Sequence, residues 1–313
     1  MLATLDLSGC ELGKSGFKSL IKTCGALRSV RLAPLVAGFG VSAADVIQIV
    51  HRATRLETLD LRTDAFELDS VLLELARHTP GLTRLSLAGF GITDFGVQHL
   101  LTACTQLRHL ALPCGDGISD ASLQQICGVS TLASLKLQFV TRANRNLVSE
   151  HALRNLLGSA AEMEELWMQN CQLLTLHSFP EDGLFAGVRR LSLSDCVQMD
   201  DVAVDRVAQL CPNLKFLDLG ALNNLTSLAL AHVGLWCSGL EELALLNCAC
   251  FEDEGLSQVL AALPLVFLHI SRFPNATLKP VDLWIHRGNA QSVLTTVSNS
   301  CRLLALDKRK IYS

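Results

Sequence analysis

One phrase governs this sequence: leucine, two residues, leucine, one residue, leucine. It reads Leu2/Leu5/Leu7, Leu27/Val30/Leu32, Leu56/Leu59/Leu61, Leu82/Leu85/Leu87, Leu107/Leu110/Leu112 and Leu132/Leu135/Leu137. It continues as Met163/Leu166/Met168, Val188/Leu191/Leu193, Leu214/Leu217/Leu219, Leu240/Leu243/Leu245 and Leu265/Leu268/Ile270. Successive starts lie 25, 29, 26, 25, 25, 31, 25, 26, 26 and 25 residues apart. A period of this length marks a stacked array of small units, because one such unit is too short to bury its own apolar face.

Each phrase predicts a short strand. Side chains alternate along a strand, so the second and third apolar residues share one face and the residues between them point the other way. A second pattern follows at helical spacing: Val97, Leu100, Leu101 and Cys104; Leu123, Ile126 and Cys127; Val204, Val207, Ala208 and Cys211; Leu256, Val259, Leu260 and Leu263. These spacings predict helices with one buried stripe. Helix starts are marked by Ile92-Thr93-Asp94, Ile118-Ser119-Asp120 and Met199-Asp200-Asp201. There a side-chain oxygen can accept from free amides, and an acid suits the positive end of the helix dipole. The expectation is an α/β solenoid of about eleven strand-helix repeats, with a parallel sheet on the concave side and helices outside.

The cysteines refine this. Cys24, Cys104, Cys211 and Cys237 stand three residues before a first leucine-type position, and Cys10, Cys171, Cys196 and Cys248 stand eight residues after one. With the Ile92-Thr93-Asp94 helix opening, this pattern resembles the cysteine-containing leucine-rich repeats found in F-box/LRR ubiquitin-ligase substrate receptors. The resemblance covers residues 2–272. It implies a horseshoe fold and protein recognition, although no room remains before Leu2 for an F-box. Cysteines after the strands are expected to form a ladder inside the turns, satisfying backbone groups there.

Composition excludes other classes. Half of the 313 residues are apolar, 18% are charged, and the net charge is −4. That is too apolar for disorder and too weakly basic for an electrostatic nucleic-acid footprint. The longest strongly apolar stretch, Val259–Leu268, is interrupted by Pro264 and too short to span a bilayer. Twelve cysteines without a C-x-x-C pair read as free thiols of a reducing compartment, cytoplasmic or nuclear, rather than zinc ligands. Nine histidines look scattered, without a partner cluster. The expectation is therefore no metal, no cofactor and no catalytic residue.

Gly38-Phe39-Gly40-Val41-Ser42-Ala43 follows a strand and opens a helical stripe, with Asp60 beyond it. It resembles a dinucleotide fingerprint. Asp60, however, fills the same repeat slot as Asp6, Ser86 and Asp218, and the loop is long. A nucleotide-dependent enzyme is retained only as an alternative.

Residues between the strand leucines are free of core duty, and there the partner-binding candidates lie: Trp167, Arg190, Phe216, Asp218, Glu242, Leu246, Phe267 and His269. Aromatic and apolar side chains in solvent-facing slots, ringed by polar groups, are the usual anchors of protein interfaces. The 31-residue unit inserts Phe139–Leu147, whose Arg142 and Arg145 form a candidate edge loop. The 29-residue unit inserts around Pro34–Gly40.

The array is expected over residues 1–272 without an obvious N-terminal cap, leaving the first repeat as a surface for a neighbour. Residues 273–313 are expected to form an irregular C-terminal cap with a helical Val293/Val297 pattern and a basic tail. The functional expectation is a non-catalytic scaffold recognising a protein on its concave face, as a substrate receptor or adaptor. The alternative is a structural subunit of a ciliary, ribosomal or organellar assembly.

Overall fold

In the computed structural model, the described residues are 2–8, 10, 14–22, 24–35, 42–140, 147–271, 275–277, 279–286, 292–297 and 300–304. The chain divides into two compact units, Met1–Leu156 and Leu157–Ser313. The first alternates β1 (Thr4–Asp6), α1 (Lys14–Ile21), β2 (Ser29–Leu35), α2 (Ala43–Arg52), β3 (Thr58–Glu67) and α3 (Asp69–His78). It continues with β4 (Arg84–Phe90), α4 (Asp94–Ala103), β5 (His109–Cys114), α5 (Asp120–Cys127), β6 (Ser134–Phe139) and α6 (Glu150–Gly158), in which the division falls. The second holds β7 (Glu165–Gln169), β8 (Arg190–Ser192), α7 (Asp201–Leu210), β9 (Phe216–Asp218), α8 (Ser227–Trp236), β10 (Glu242–Leu246) and α9 (Asp253–Ala262). It closes with β11 (Phe267–Ser271), α10 (Lys279–His286), β12 (Ser292–Val297) and β13 (Ser300–Leu304).

Eleven strands coincide with the eleven leucine phrases, as the period requires. Within the first unit the central apolar residue of each phrase faces its counterpart: Leu5, Val30, Leu59, Leu85, Leu110 and Leu135 form one in-register parallel ladder. In the second unit Leu166, Leu191, Leu217, Leu243 and Leu268 do the same. All of these are buried, and so are the helical stripes at Val97/Leu100/Leu101/Cys104 and Val204/Val207/Ala208/Cys211. Each repeat supplies one layer of core and relies on its neighbour for the next.

The helix starts hold a device that the sequence reading did not anticipate. Thr93, Ser119 and Asp200 cap their own helices as expected, accepting from Gly96, Ala121 and Ala203 amides. In five helices, however, the acid that opens the helix reaches across to the following repeat. Asp69 accepts from the Thr93 amide at 3.0 Å and from its hydroxyl at 2.9 Å. Asp94 does so from Ser119 and Ser122, Asp120 from Ser149, Asp201 from Thr226 and Asp253 from Thr277. The capping residue of one helix is thereby held by the first residue of the helix before it. In the first unit, α3 to α6 form an unbroken relay of three such steps.

The cysteines after the strands occupy the turn interior. Cys171, Cys196 and Cys248 are buried, while Cys10 is exposed. Cys196 donates to the Met168 carbonyl at 2.8 Å and Cys248 to the Leu219 carbonyl at 3.4 Å, each in the preceding repeat. The residue before each buried ladder cysteine takes the left-handed conformation: Asn170 (φ 57°), Asp195 (φ 61°) and Asn247 (φ 57°). Asn and Asp tolerate it through local side-chain hydrogen bonding.

Two local expectations are corrected. Between β7 and β8 the helix is replaced by a single 3-10 turn, Leu176–Ser178, ahead of Phe179-Pro180, where proline removes a helix donor. The Val293/Val297 segment is a strand, not a helix. β12 pairs parallel with β11, Leu268 facing Val293, and β13 then pairs antiparallel with β12. Val293, Thr295, Thr296 and Val297 are β-branched, which favours the pleated conformation over a helix. The glycine stretch at Gly38–Val41 lies outside the described residues, and Ser42 is the N-cap of α2 in a capping box with Asp45.

Two outcomes test the relay. Replacing Gly96 with Ala raises helix propensity by about 1 kcal/mol in a neutral setting. Here the added Cβ runs into the Asp69 carboxylate that holds Thr93, so Gly96→Ala should lower stability in urea unfolding. Burial acts to raise the Asp94 carboxyl, but the Ser119 and Ser122 hydrogen bonds outweigh it and hold it below its ordinary 3.8. Its contribution is thus complete above 3.8 and disappears as pH falls through the lower folded value. The stability difference between the parent and Asp94→Asn should therefore shrink as solutions are acidified through that range.

Candidate protein-interaction face

The parallel register of the second unit sets the side chains opposite its leucine core in two rows. One row reads Glu165, Arg190, Phe216, Glu242 and Phe267 across β7, β8, β9, β10 and β11. The other reads Trp167, Ser192, Asp218, Ala244 and His269 across the same strands. The rows exist because the alternate positions of each strand are committed to the leucine core.

Arg190 is the hub of the first row. Its guanidinium lies 4.3 Å from the centroid of the Phe216 ring, Nη1 lies 3.5 Å from Glu242, and Nε lies 3.8 Å from Glu165. Trp167 stacks on Phe216 with centroids 5.4 Å apart and planes 21° from parallel. Glu242 also meets His269 Nε2 at 2.9 Å. Charge, cation–π contact and ring stacking therefore link side chains from five strands. Asp218 accepts from the Ser192 hydroxyl at 2.8 Å and from the Gly220 amide at 2.9 Å. Burial, and then repulsion from Asp218, hold the nearby Asp195 carboxyl above its ordinary range.

The register brings Trp167, Arg190, Phe216, Glu242 and His269 together. Leu246 and Phe267 stay open to solvent, 37% and 39% exposed, at the far side of the same face. Phe216 departs from the expectation of an exposed anchor: it lies on the predicted face but is only 6% exposed. Strand parity gave its direction, while the cover comes from Arg190 on the adjacent strand β8 and from Trp167 on β7, two strands away. Arg142 and Arg145 lie outside the described residues.

Burial pushes Cys104 up to about 11, and Cys171, Cys237 and Cys248 up to about 12, well away from the thiolate needed for nucleophilic or redox chemistry. The histidines, in contrast, are not all scattered: His51 and His78 meet at Glu74 on the helical side of the first unit. The signal was present in the spacing of Glu74 and His78, one helical turn apart, with His51 near the end of the preceding helix.

The covered ring gives a direct test. Phe216→Ala removes the centre of the stack and should cost about 3 kcal/mol in chemical denaturation, as a buried aromatic rather than a free anchor would. Phe267→Ala, at an open position, should leave stability within about 1 kcal/mol of the parent.

No family model matches the sequence. The chain is 26% identical over 234 residues to the F-box/LRR-repeat MAX2 homolog of Oryza sativa subsp. japonica, a match covering 69% of this chain and 30% of that protein. The chain thus spans less than a third of this relative. A chain of the solved Rad7 and Elc1 complex in yeast superposes with a TM-score of 0.59 at 18% identity, covering 89% of this chain and 78% of that one. The leucine-rich repeat-containing protein LegL7 from Legionella pneumophila gives a TM-score of 0.45 at 15% identity, over 91% of this chain and 89% of its own.

Proposed function

We propose that this leucine-rich-repeat protein is a non-catalytic scaffold that holds a protein partner on the sheet face of its second unit. The observation that carries the reading is the Trp167–Phe216–Arg190 stack beside exposed Leu246 and Phe267. A rigid aromatic and cationic centre next to open apolar side chains is the composition of an interface core. Glu165, Asp218 and Glu242 outnumber Arg190 around it, which favours a partner segment carrying basic groups at its rim and an apolar side chain at its centre.

The F-box/LRR-repeat relative supports a finer reading, in which the array selects a substrate for ubiquitin ligation in the cytoplasm or nucleus. Recruitment to the ligase then requires an F-box outside these 313 residues. A second reading rests on α8, whose Leu228, Leu235 and Trp236 are exposed on the helical side. An apolar helix surface of this kind favours a permanent neighbour, as in a structural subunit of a larger assembly.

Affinity purification of the protein from its native source separates these. Substoichiometric recovery with a ligase adaptor and cullin supports the receptor reading. Constant-stoichiometry recovery in a large assembly without them overturns it in favour of the structural one. The face itself is tested by Phe267→Ala and Leu246→Ala, each expected to weaken the principal partner about tenfold while the fold persists. Unchanged affinity in both would remove this surface from the proposal.

A further inference from the structure

The helical side of the first unit, well apart in sequence from the face just described, gathers two imidazoles and a carboxylate. His51 is the last residue but one of α2, and Glu74 and His78 lie one turn apart on α3. The Nε2 atom of His51 is 2.7 Å from Glu74 Oε2, and the Nε2 atom of His78 is 3.3 Å from the same oxygen. The two imidazole centroids are 4.3 Å apart and the ring planes are tilted by 54°. The rings therefore do not stack flat; they converge with the same nitrogen of each aimed at one point. The other Glu74 oxygen, Oε1, is held by Arg77 Nη1 at 2.7 Å.

We propose that His51, Glu74 and His78 form a binding site for a divalent transition-metal ion of the zinc type. Two imidazoles and one carboxylate are a donor set that suits zinc and its neighbours, whereas calcium and magnesium call for oxygen ligands. A tetrahedral ion with ligand distances of about 2.0–2.1 Å separates its ligands by about 3.3 Å. The His78–Glu74 separation already has this value, and the His51–Glu74 separation has to open by about half an ångström, a small adjustment for the partly open His51 side chain. Arg77 acts as a positioning residue, fixing the oxygen that faces away from the ion and so aiming Oε2. Glu74 is the least exposed of the three and the histidines are partly open, so an ion reaches the site from solvent and keeps a fourth position for water. None of the three side chains belongs to the strand core, and loading links α2 to α3 across a repeat boundary without a change of fold.

The ordinary alternative is an ion-paired staple with no affinity for metal, and zinc itself distinguishes the two. Zinc is titrated into the full chain, kept reduced, in competition with a chromophoric chelator. The expected result is one saturable equivalent of micromolar affinity or tighter, with a higher melting temperature for the loaded protein. His51→Ala and His78→Ala should each weaken binding by about 100-fold, and Glu74→Gln, which keeps the side chain's size, by about tenfold or more. Replacing Cys10, Cys127 and Cys250 together by Ser, which removes the more accessible thiols among the described residues, should leave it intact. Cobalt substitution should give ligand-field bands without sulfur-to-metal charge transfer. Absence of saturable binding, binding indifferent to both histidine substitutions, or binding lost with the thiols would each overturn the site. Melting of the metal-free variants close to the parent keeps a folding defect from imitating the expected loss.

Discussion

A strand that commits every second side chain to a core it cannot close alone depends on the strand beside it. That dependence organises the chain. Leu110 is buried because Leu85 and Leu135 flank it in register, and each of these needs its own neighbour in turn. The stacking is apolar and weakly directional, so by itself it tolerates sliding. Direction comes from the polar edge, where the Asp94 carboxylate receives both the amide and the hydroxyl of Ser119. An amide and a hydroxyl meeting one carboxylate admit a single relative position of two repeats. The buried leucines supply cohesion, the backbone hydrogen bonds of the parallel ladder supply registration, and at five boundaries the relay at the helix starts adds to it.

The same parallel register makes the opposite side of the sheet a built surface rather than a set of independent side chains. Arg190 reaches Glu165, Phe216 and Glu242, each on a different strand. Side chains restrained in this way have little rotamer freedom left to lose when a partner arrives. Leu246 and Phe267 remain as the open apolar elements beside that restrained centre. Covered and open positions thus differ on this face, one group holding its shape and the other, in the proposed reading, offered to a partner.

Much of this was legible in the sequence because it is local and periodic. The L-x-x-L-x-L phrase fixes strand position and parity, and Thr93, Ser119 and Asp200 announce the helices they cap. What escaped was set by residues one or two repeats away. The Asp94–Ser119 contact spans 25 positions and becomes visible only when successive repeats are laid side by side. Phe216 was placed on the correct face, but nothing in its own strand tells that Trp167 and Arg190 cover it. Val293 and Val297 are spaced for either a helix or a strand, and the decision falls to β-branching and to the open edge of β11. His51 met Glu74 and His78 for the same reason as the relay: neighbouring helices set side by side what the sequence keeps 23 residues apart.

The cysteines carry one more implication. Cys24, Cys104, Cys114, Cys171, Cys196, Cys211, Cys237 and Cys248 are buried and distributed along both units, and Cys24, Cys104, Cys196 and Cys248 donate to backbone carbonyls. An electrophile that enters only water-exposed regions passes them by while the repeats stay closed. When a repeat opens, its own thiol comes into reach. The chain therefore contains a set of local clocks, one for most repeats, from which the order of opening along the array can be timed without introducing a single probe.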